Sequence, residues 1–303
     1  MTCPPYVIVG PTAAGKSTVA LALAEARPGT EVLSVDSMQV YRGMDIGTAK
    51  PTADEQARVP HHCIDLVEPA CEFTVVDYQR VATTARAGVE SRGGRPLYTG
   101  GTGLYVRAVV DALTPPGQYP EVAASLAEEP DTTALHRRLA EMDPLAAARM
   151  EPTNRRRIVR ALEVTIGAGR PFSSFGAGLD HYDASAPFRL VGVDCPTEVL
   201  DARIEQRYAV QMESGFLDEV AGLLERPRGM GRTAAQALGY KELAAHLRGE
   251  LARDEALDLA VRRTRRFARR QRSWFRRDPR IRWLVHDGNP VAVADALLGE
   301  WDE

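Results

Sequence analysis

Gly10-Pro11-Thr12-Ala13-Ala14-Gly15-Lys16-Ser17 fills every fixed position of the phosphate-loop pattern G-x-x-x-x-G-K-[ST]. In such a loop the backbone N–H groups of a glycine-rich turn and of the helix after it converge on one point, where the helix dipole adds positive potential. Lys16 brings a mobile positive charge, and the Ser17 hydroxyl is the usual Mg2+ ligand. Asp36 closes a second apolar run, Glu31 to Asp36. A carboxylate beside a bound phosphate suits a general base or a Mg2+ partner, and the plain alternative is a turn or helix-capping aspartate. Gly100-Gly101-Thr102-Gly103 offers a second backbone turn with a hydroxyl, and Arg203 and Arg207 stand one helical turn apart, spaced to cap phosphates from one face. These residue types leave open which phosphate compound is held; nucleotide binding and phosphoryl transfer are the default for such a loop.

The elements that must carry these residues are readable. Tyr6–Val9 reads as a strand and Thr18–Ala26 as an Ala/Leu-rich helix, so the loop joins strand to helix. Further strands are expected at 31–36, 64–66, 95–99 and 188–194, and helices at 74–92, 197–214 and 254–276. Strands alternating with helices point to an α/β fold, a P-loop NTPase-like parallel sheet with flanking helices, in which the carboxyl ends of neighbouring strands lie together and Asp36 faces the phosphate loop. Thr114-Pro115-Pro116-Gly117 opens a stretch of different character, with helices expected at 134–141, 145–150 and 154–163 before Gly167-Ala168-Gly169-Arg170-Pro171. The expected organisation is a catalytic core from 1–112 and 188–303, interrupted by a helical insertion at 113–187; Gln118 to Asp131 has no reading.

With 44% hydrophobic and 26% charged residues the composition is that of a soluble globular protein, and no apolar run approaches the roughly 18 residues that span a bilayer. The start, Met1-Thr2-Cys3-Pro4-Pro5, has neither the basic nor the apolar region of a signal peptide, so the cytoplasm is expected. Cys3, Cys63, Cys71 and Cys195 form no C-x-x-C pair and read as reduced thiols, and His61-His62-Cys63 reads as a loop in preference to a zinc site. The net charge of −3 conceals an asymmetry: eleven arginines stand between Arg262 and Arg282 against one acid, Asp278. Such a segment reads either as a polyanion-binding face or as a helix paired with acids elsewhere in the fold. Arg155, Arg156, Arg157 and Arg160 make a second basic patch in the insertion.

Several runs together resemble the tRNA dimethylallyltransferases, also called isopentenyl-diphosphate:tRNA transferases. They are the phosphate loop; Asp36-Ser37-Met38-Gln39-Val40-Tyr41-Arg42-Gly43-Met44-Asp45-Ile46-Gly47-Thr48-Ala49-Lys50-Pro51; His61-His62 with Ile64-Asp65; Gly100 to Tyr105; Asn154 with Arg157-Ile158 and Arg160-Ala161-Leu162-Glu163-Val164; Arg203 to Arg207; and Thr264 to Trp274. The resemblance covers nearly the whole chain in order. It implies transfer of a dimethylallyl group from dimethylallyl diphosphate to N6 of the adenosine immediately 3′ of the anticodon (adenosine-37), assisted by Mg2+, so that Gly10–Ser17 with Arg203 hold a leaving diphosphate. It further implies that Asp36 is the general base, that Thr102 positions the amine or the diphosphate, and that Lys16, Ser17 and Arg207 contact diphosphate and metal. Ser37, Met38 and Gln39 would contact bases of the target, and Arg156, Arg157, Ile158, Val159 and Arg160 would contact tRNA from the insertion. A chain without a C-terminal Cys/His finger resembles the bacterial type; the expected partners are tRNA and dimethylallyl diphosphate, with no membrane and a monomeric chain. A small-molecule kinase, an adenylate isopentenyltransferase acting on free nucleotide, and an RNA-binding module with a vestigial loop are the competing readings.

Overall fold

The computed structural model describes residues 4–176, 178, 179 and 181–300; Cys3 and the first two residues, whose composition bears on targeting, lie outside it. Two compact units divide the chain, one formed by Met1–Ala112 with Asp183–Glu303 and the other by Leu113–Tyr182.

The first unit is built on six parallel strands: β1 (Tyr6–Val9), β2 (Thr30–Ser34), β3 (His61–His62), β4 (Arg95–Gly100), β5 (Arg189–Asp194) and β6 (Arg282–Val285), in the order β3-β2-β4-β1-β5-β6. Every residue of β1 is buried, as a strand covered on both faces requires, which is why it reads as an unbroken apolar run. Its position between β4 and β5 puts the phosphate loop at the carboxyl edge with a neighbour on each side. Two glycines permit this crowding. A Cβ on Gly10, at φ +145, would lie 2.2 Å from the Val193 carbonyl oxygen, and one on Gly100 would lie 2.1 Å from that of Val35.

The flanking helices of this unit are α1 (Lys16–Ala26), α2 (Ala53–Arg58), α3 (Val75–Ser91) and α4 (Gly103–Val110), then, beyond the second unit, α9 (Thr197–Glu213), α10 (Phe216–Glu225), α11 (Tyr240–Leu247), α12 (Arg253–Phe275) and α13 (Val291–Glu300). α1 and α13 bury Val19, Leu23, Val293 and Leu297 on one face of the sheet with Ile8, Val32 and Leu97. On the other face α3 and α4 stack Tyr78 on Tyr105, ring centroids 4.1 Å apart, above Val7, Val9 and Leu33. A separate core joins α9, α10, α11 and α12 through Ile204, Tyr208, Phe216, Tyr240 and Ala260.

The strand expected at 64–66 is instead β3 at His61–His62, because Cys63 and Asp65 take positive φ values of 63 and 52 that break an extended chain. β2 likewise ends at Ser34, leaving Val35 and Asp36 to lead out of the sheet. Among the elements not foreseen, α2 carries a complete capping box from Thr52 and Glu55, and α10 buries Phe216, Val220 and Leu223 at helical spacing.

The second unit is helical: α5 (Pro120–Ala127), α6 (Thr132–Met142), α7 (Pro144–Ala148) and α8 (Arg155–Ala168). Leu126, Leu135, Leu139, Ala146, Ala147, Ile158, Ala161 and Leu162 form its core. The stretch 118–131 therefore has a structure, α5 packed on α8, with the Tyr119 amide donating to Glu163 Oε1 at 2.7 Å. Residues 183–187, expected in the insertion, belong to the first unit: Arg280 donates to the Asp183 carbonyl, and Ala186 joins the core beneath α3 and α4.

Candidate active site

The phosphate loop is held from outside itself. Positive φ at Gly10, Ala13 and Gly15 (145, 64 and 89) curls the chain so that its amides turn inward. His286 Nε2 donates to the Ala14 carbonyl oxygen at 2.9 Å; its Nδ1 accepts from the Gly288 amide at 3.1 Å, which fixes the tautomer. Pro290 packs beneath Gly15, where a Cβ would lie 2.5 Å from the proline Cβ. The Thr12 amide donates to Gln271 Oε1 and the Ala14 amide to Pro11, leaving Ala13, Gly15, Lys16 and Ser17 to present amides to a ligand.

Lys16 Nζ donates to the Pro11 carbonyl at 2.7 Å, and Arg207 Nη1 to Thr12 Oγ1 at 3.2 Å. Arg203, half-buried and hydrogen-bonded to Cys195, stands beside Gly15 with its Nη1 3.6 Å from a Cβ placed there; that nitrogen is itself buried and has no hydrogen-bond partner among the described residues. An anion on the loop would satisfy that donor. α9 thus delivers both arginines to the loop from one face, as their spacing predicts.

Asp36 follows β2 and lies close enough to pull the pKa values of Lys16 and Arg207 upward against the burial that lowers both. One carboxylate oxygen accepts from the Met38 amide at 2.8 Å, so the turn role and the site role coexist in one residue. The Thr102 hydroxyl accepts from the Ser37 amide at 3.0 Å and donates to Ser37 Oγ at 3.3 Å, linking the two loops. The Thr102 amide itself donates to the Val35 carbonyl, so the second glycine turn is not an open amide cradle.

Thr12, Asp36, Ser37, Met38, Thr102 and Arg207 line one cavity of about 330 Å3. Its remaining wall is largely apolar and aromatic, from Ile204, Tyr208, Ala237, Leu238, Tyr240 and Phe267, with Arg270 at the rim. The 45–47 loop shapes the near side and is pinned by residues the sequence did not single out. Glu219 Oε2 accepts from the Asp45 and Ile46 amides at 2.9 and 2.8 Å, its Oε1 accepts from the Gly47 amide and the Tyr240 hydroxyl, and Gln211 Nε2 donates to the Ile46 carbonyl. A charged residue inside an amphipathic helix carries no signal of such a distant backbone partner.

The family model described as IPP transferase matches residues 39–278, and that described as isopentenyl transferase matches 4–64. The tRNA dimethylallyltransferases of Geobacter sulfurreducens and Kineococcus radiotolerans are 46% and 49% identical, over 96% and 97% of this chain and 95% of each relative. The crystal structure of the full-length tRNA isopentenylpyrophosphate transferase from Bacillus halodurans superposes with a TM-score of 0.71 at 36% identity, covering 99% of this chain and 97% of that one. The chain belongs to the tRNA dimethylallyltransferase family.

In this tRNA dimethylallyltransferase family member the arginine-rich helix divides by face. Arg263 pairs with Glu242, Arg265 with Asp201 and Glu205, Arg269 with Asp201, and Arg272 and Arg276 with the buried Asp194. Past the helix, Arg280 pairs with Asp111 and Asp278, and Arg282 with Glu300. Arg262, Arg266, Arg270 and Arg277 are exposed and enter no ion pair among the described residues; Arg270 lies over the Phe267 ring. The first three follow one another at four-residue spacing on a single stripe. One side of the helix is therefore paired with acids, as the second reading expects, and the other leaves its arginines exposed, as the first would need.

Gln39 is committed to structure: Ser34 Oγ donates to its Oε1, and its Nε2 donates to the carbonyls of Thr48 and Ala49. In the helical unit Arg156 and Arg157 are exposed, whereas Arg160 pairs with Glu163 and donates to the carbonyls of Pro116 and Gly117. The Ile158 side chain is 0% exposed, a correction to its expected tRNA contact: it anchors α8 in that unit's core, and Val159 packs against the same core. His62 Nε2 meets Glu31 at 2.6 Å and His61 Nδ1 the Val59 carbonyl at 2.7 Å, so β3 turns the two rings to different partners.

The donor set suits Mg2+. The Ser17 hydroxyl is exposed at the start of α1, Asp36 supplies a carboxylate, and no three His, Cys, Asp or Glu side chains converge among the described residues. Mg2+ binds through a few hard oxygens, substrate phosphates and water, and needs no protein cage.

Burial holds the Lys16 ammonium down at about 8, below the usual 10.5; Asp36 opposes the shift and Arg207 adds to it. A bound diphosphate favours the charged form and raises that pKa, so binding at about pH 9 takes up a proton at Lys16. Calorimetry with inorganic diphosphate in buffers of different ionisation enthalpy is expected to show greater proton uptake by wild type than by Lys16→Arg. Wild-type affinity should fall faster than that of the variant between about pH 7 and about pH 9.5. Identical uptake and identical pH profiles would remove Lys16 from the anion site.

Proposed function

We propose that this chain transfers the dimethylallyl group of dimethylallyl diphosphate to N6 of adenosine-37 of tRNA, releasing diphosphate, and that it works in the cytoplasm as a monomer. The observation that carries the reading is the two-sided cavity, in which phosphate-loop Thr12 and Arg207 share a space with Asp36 and Thr102 opposite an apolar wall. A diphosphate on a short branched hydrocarbon has that polarity. Membership of a family whose relatives carry the name tRNA dimethylallyltransferase supports the same chemistry.

In this reading the adenine amine attacks C1 of the prenyl group as the C1–O bond breaks and the electron pair leaves with the diphosphate. The exocyclic amine is a weak nucleophile, and Asp36 takes its proton as the C–N bond forms. Thr102 orients the amine through its link to Ser37. Charge developing on the leaving group meets the amides of Ala13, Gly15, Lys16 and Ser17 together with Lys16, Arg203 and Arg207, donors fixed in place before the reaction. Mg2+, held by Ser17 Oγ and diphosphate oxygens, would supply further charge neutralisation to the leaving group.

The target base must leave the anticodon-loop stack, which costs a few kcal/mol that RNA contacts offset. Arg262, Arg266, Arg270 and Arg277 on the first unit and Arg156 and Arg157 on the second are the exposed cations available for backbone phosphates. Ser37 and Met38 line the cavity and meet the base, and Gln39 supports them by holding the 48–49 carbonyls.

The test is incubation with labelled dimethylallyl diphosphate and Mg2+ plus an anticodon stem-loop RNA, AMP, or neither. Label on N6 of the RNA is expected. Label on AMP alone would move the chain to nucleotide prenylation, and ATP turnover without prenyl transfer would make it a kinase.

A further inference from the structure

Gln271 lies on α12 and is 7% exposed, which is unusual for a neutral polar side chain unless its amide is fully engaged. Its Oε1 accepts from the Thr12 amide at 2.8 Å, and its Nε2 donates to the Gly101 carbonyl at 2.8 Å. Both partners are backbone groups of fixed polarity, so only one orientation of the amide satisfies the pair. One partner belongs to the phosphate loop and the other to the turn that carries Thr102. The fit is close on the second side, where a Cβ on Gly101 would lie 2.3 Å from Gln271 Nε2, and one turn further along α12 a Cβ on Gly103 would lie 2.1 Å from Trp274 Nε1.

We propose that Gln271 is a positioning residue for the transfer: it sets the distance between the loop that grips the diphosphate and the loop that orients the acceptor amine. It touches neither substrate. Its amide is the only bridge among the described residues made by one side chain to the backbones of both loops, and a side chain with a donor and an acceptor on one rigid plane is what that bridge demands. Glutamate would put an oxygen against the Gly101 carbonyl, methionine would break both bonds while keeping the length, and asparagine would be too short to span the gap. Holding two reactants at attack distance contributes to the rate of the bound complex and leaves each separate affinity nearly unchanged. The same helix carries the exposed arginine stripe Arg262, Arg266 and Arg270 on its outer side.

The proposal rests on the prenyl-transfer reading above, and its test separates the two. Gln271→Met is compared with wild type for stem-loop RNA affinity, inorganic diphosphate affinity, and kcat and KM in the labelled transfer assay. The expected result is kcat lowered by about 10- to 100-fold, both affinities and the RNA KM within about three-fold, and a cooperative thermal transition retained. Gly101→Ala, which drives a methyl group into the amide from the other side, is expected to give the same pattern and supplies the answer if the methionine variant fails to fold. A kcat within two-fold of wild type in a folded variant overturns the proposal, as does a loss confined to KM or to either affinity. A wild type that binds both ligands and transfers no label sinks the prenyl-transfer reading and this proposal with it.

Discussion

Asp36→Asn is expected to lower the transfer rate by about 10^2- to 10^4-fold, the range a positioned general base contributes, while stem-loop affinity stays within a few-fold. Asparagine is the informative replacement. Asp36 Oδ1 accepts from the Met38 amide, and an asparagine carbonyl keeps that bond, so the turn that carries Ser37 and Met38 into the cavity survives while the proton acceptor is lost. Alanine would remove both and mix a rate defect with a collapsed turn. Single-turnover measurement with RNA and donor both saturating isolates the bound complex. An unchanged rate there, or a loss that appears only as weaker RNA binding, would make Asp36 a binding residue and leave the amine without a base.

The second large effect concerns affinity. Replacing Arg262, Arg266, Arg270 and Arg277 by glutamine removes four exposed cations that enter no ion pair among the described residues. If each neutralises one phosphate, the slope of log K against log salt falls by about 3 and binding weakens by at least ~100-fold at low ionic strength, with little change in thermal stability. Replacing Arg265, Arg272 and Arg276 is expected to do the opposite. These side chains hold α12 to α9 and to the buried Asp194, so the melting temperature drops and the salt slope moves little. A slope unchanged in the first variant would take the stripe out of the RNA interface.

That division shows where sequence reading stops. Eleven arginines in twenty-one positions fit either an anion partner or internal pairing, and which of them are free depends on acids contributed by Asp111, Asp194, Asp201, Glu205 and Glu242, brought alongside by tertiary folding alone. The phosphate loop, Asp36 and Thr102 were legible because each sits at a strand end in a parallel sheet, where chain order implies proximity. The apolar wall was not, since Tyr240, Leu238 and Phe267 read as ordinary core residues until α11 and α12 are packed on α9. Ile158 shows the reverse case: the family resemblance carried a tRNA-contacting stretch over whole, although the helical period turns Ile158 inward while Arg156 and Arg157 face out. β3 was displaced because Cys63 and Asp65 adopt left-handed backbone; Asp tolerates that region, but nothing in its residue type requires it there, and Cys gives no such signal at all.

The supports beneath the phosphate loop come from the far end of the chain, His286 and Pro290 directly and Gln271 from α12. The loop therefore takes its shape through contacts 259 and 272 residues apart in sequence, among the costliest kind for a folding chain to close. A fragment that carries residues 10–17 without 271–290 has the signature sequence without the supports that shape its anion site.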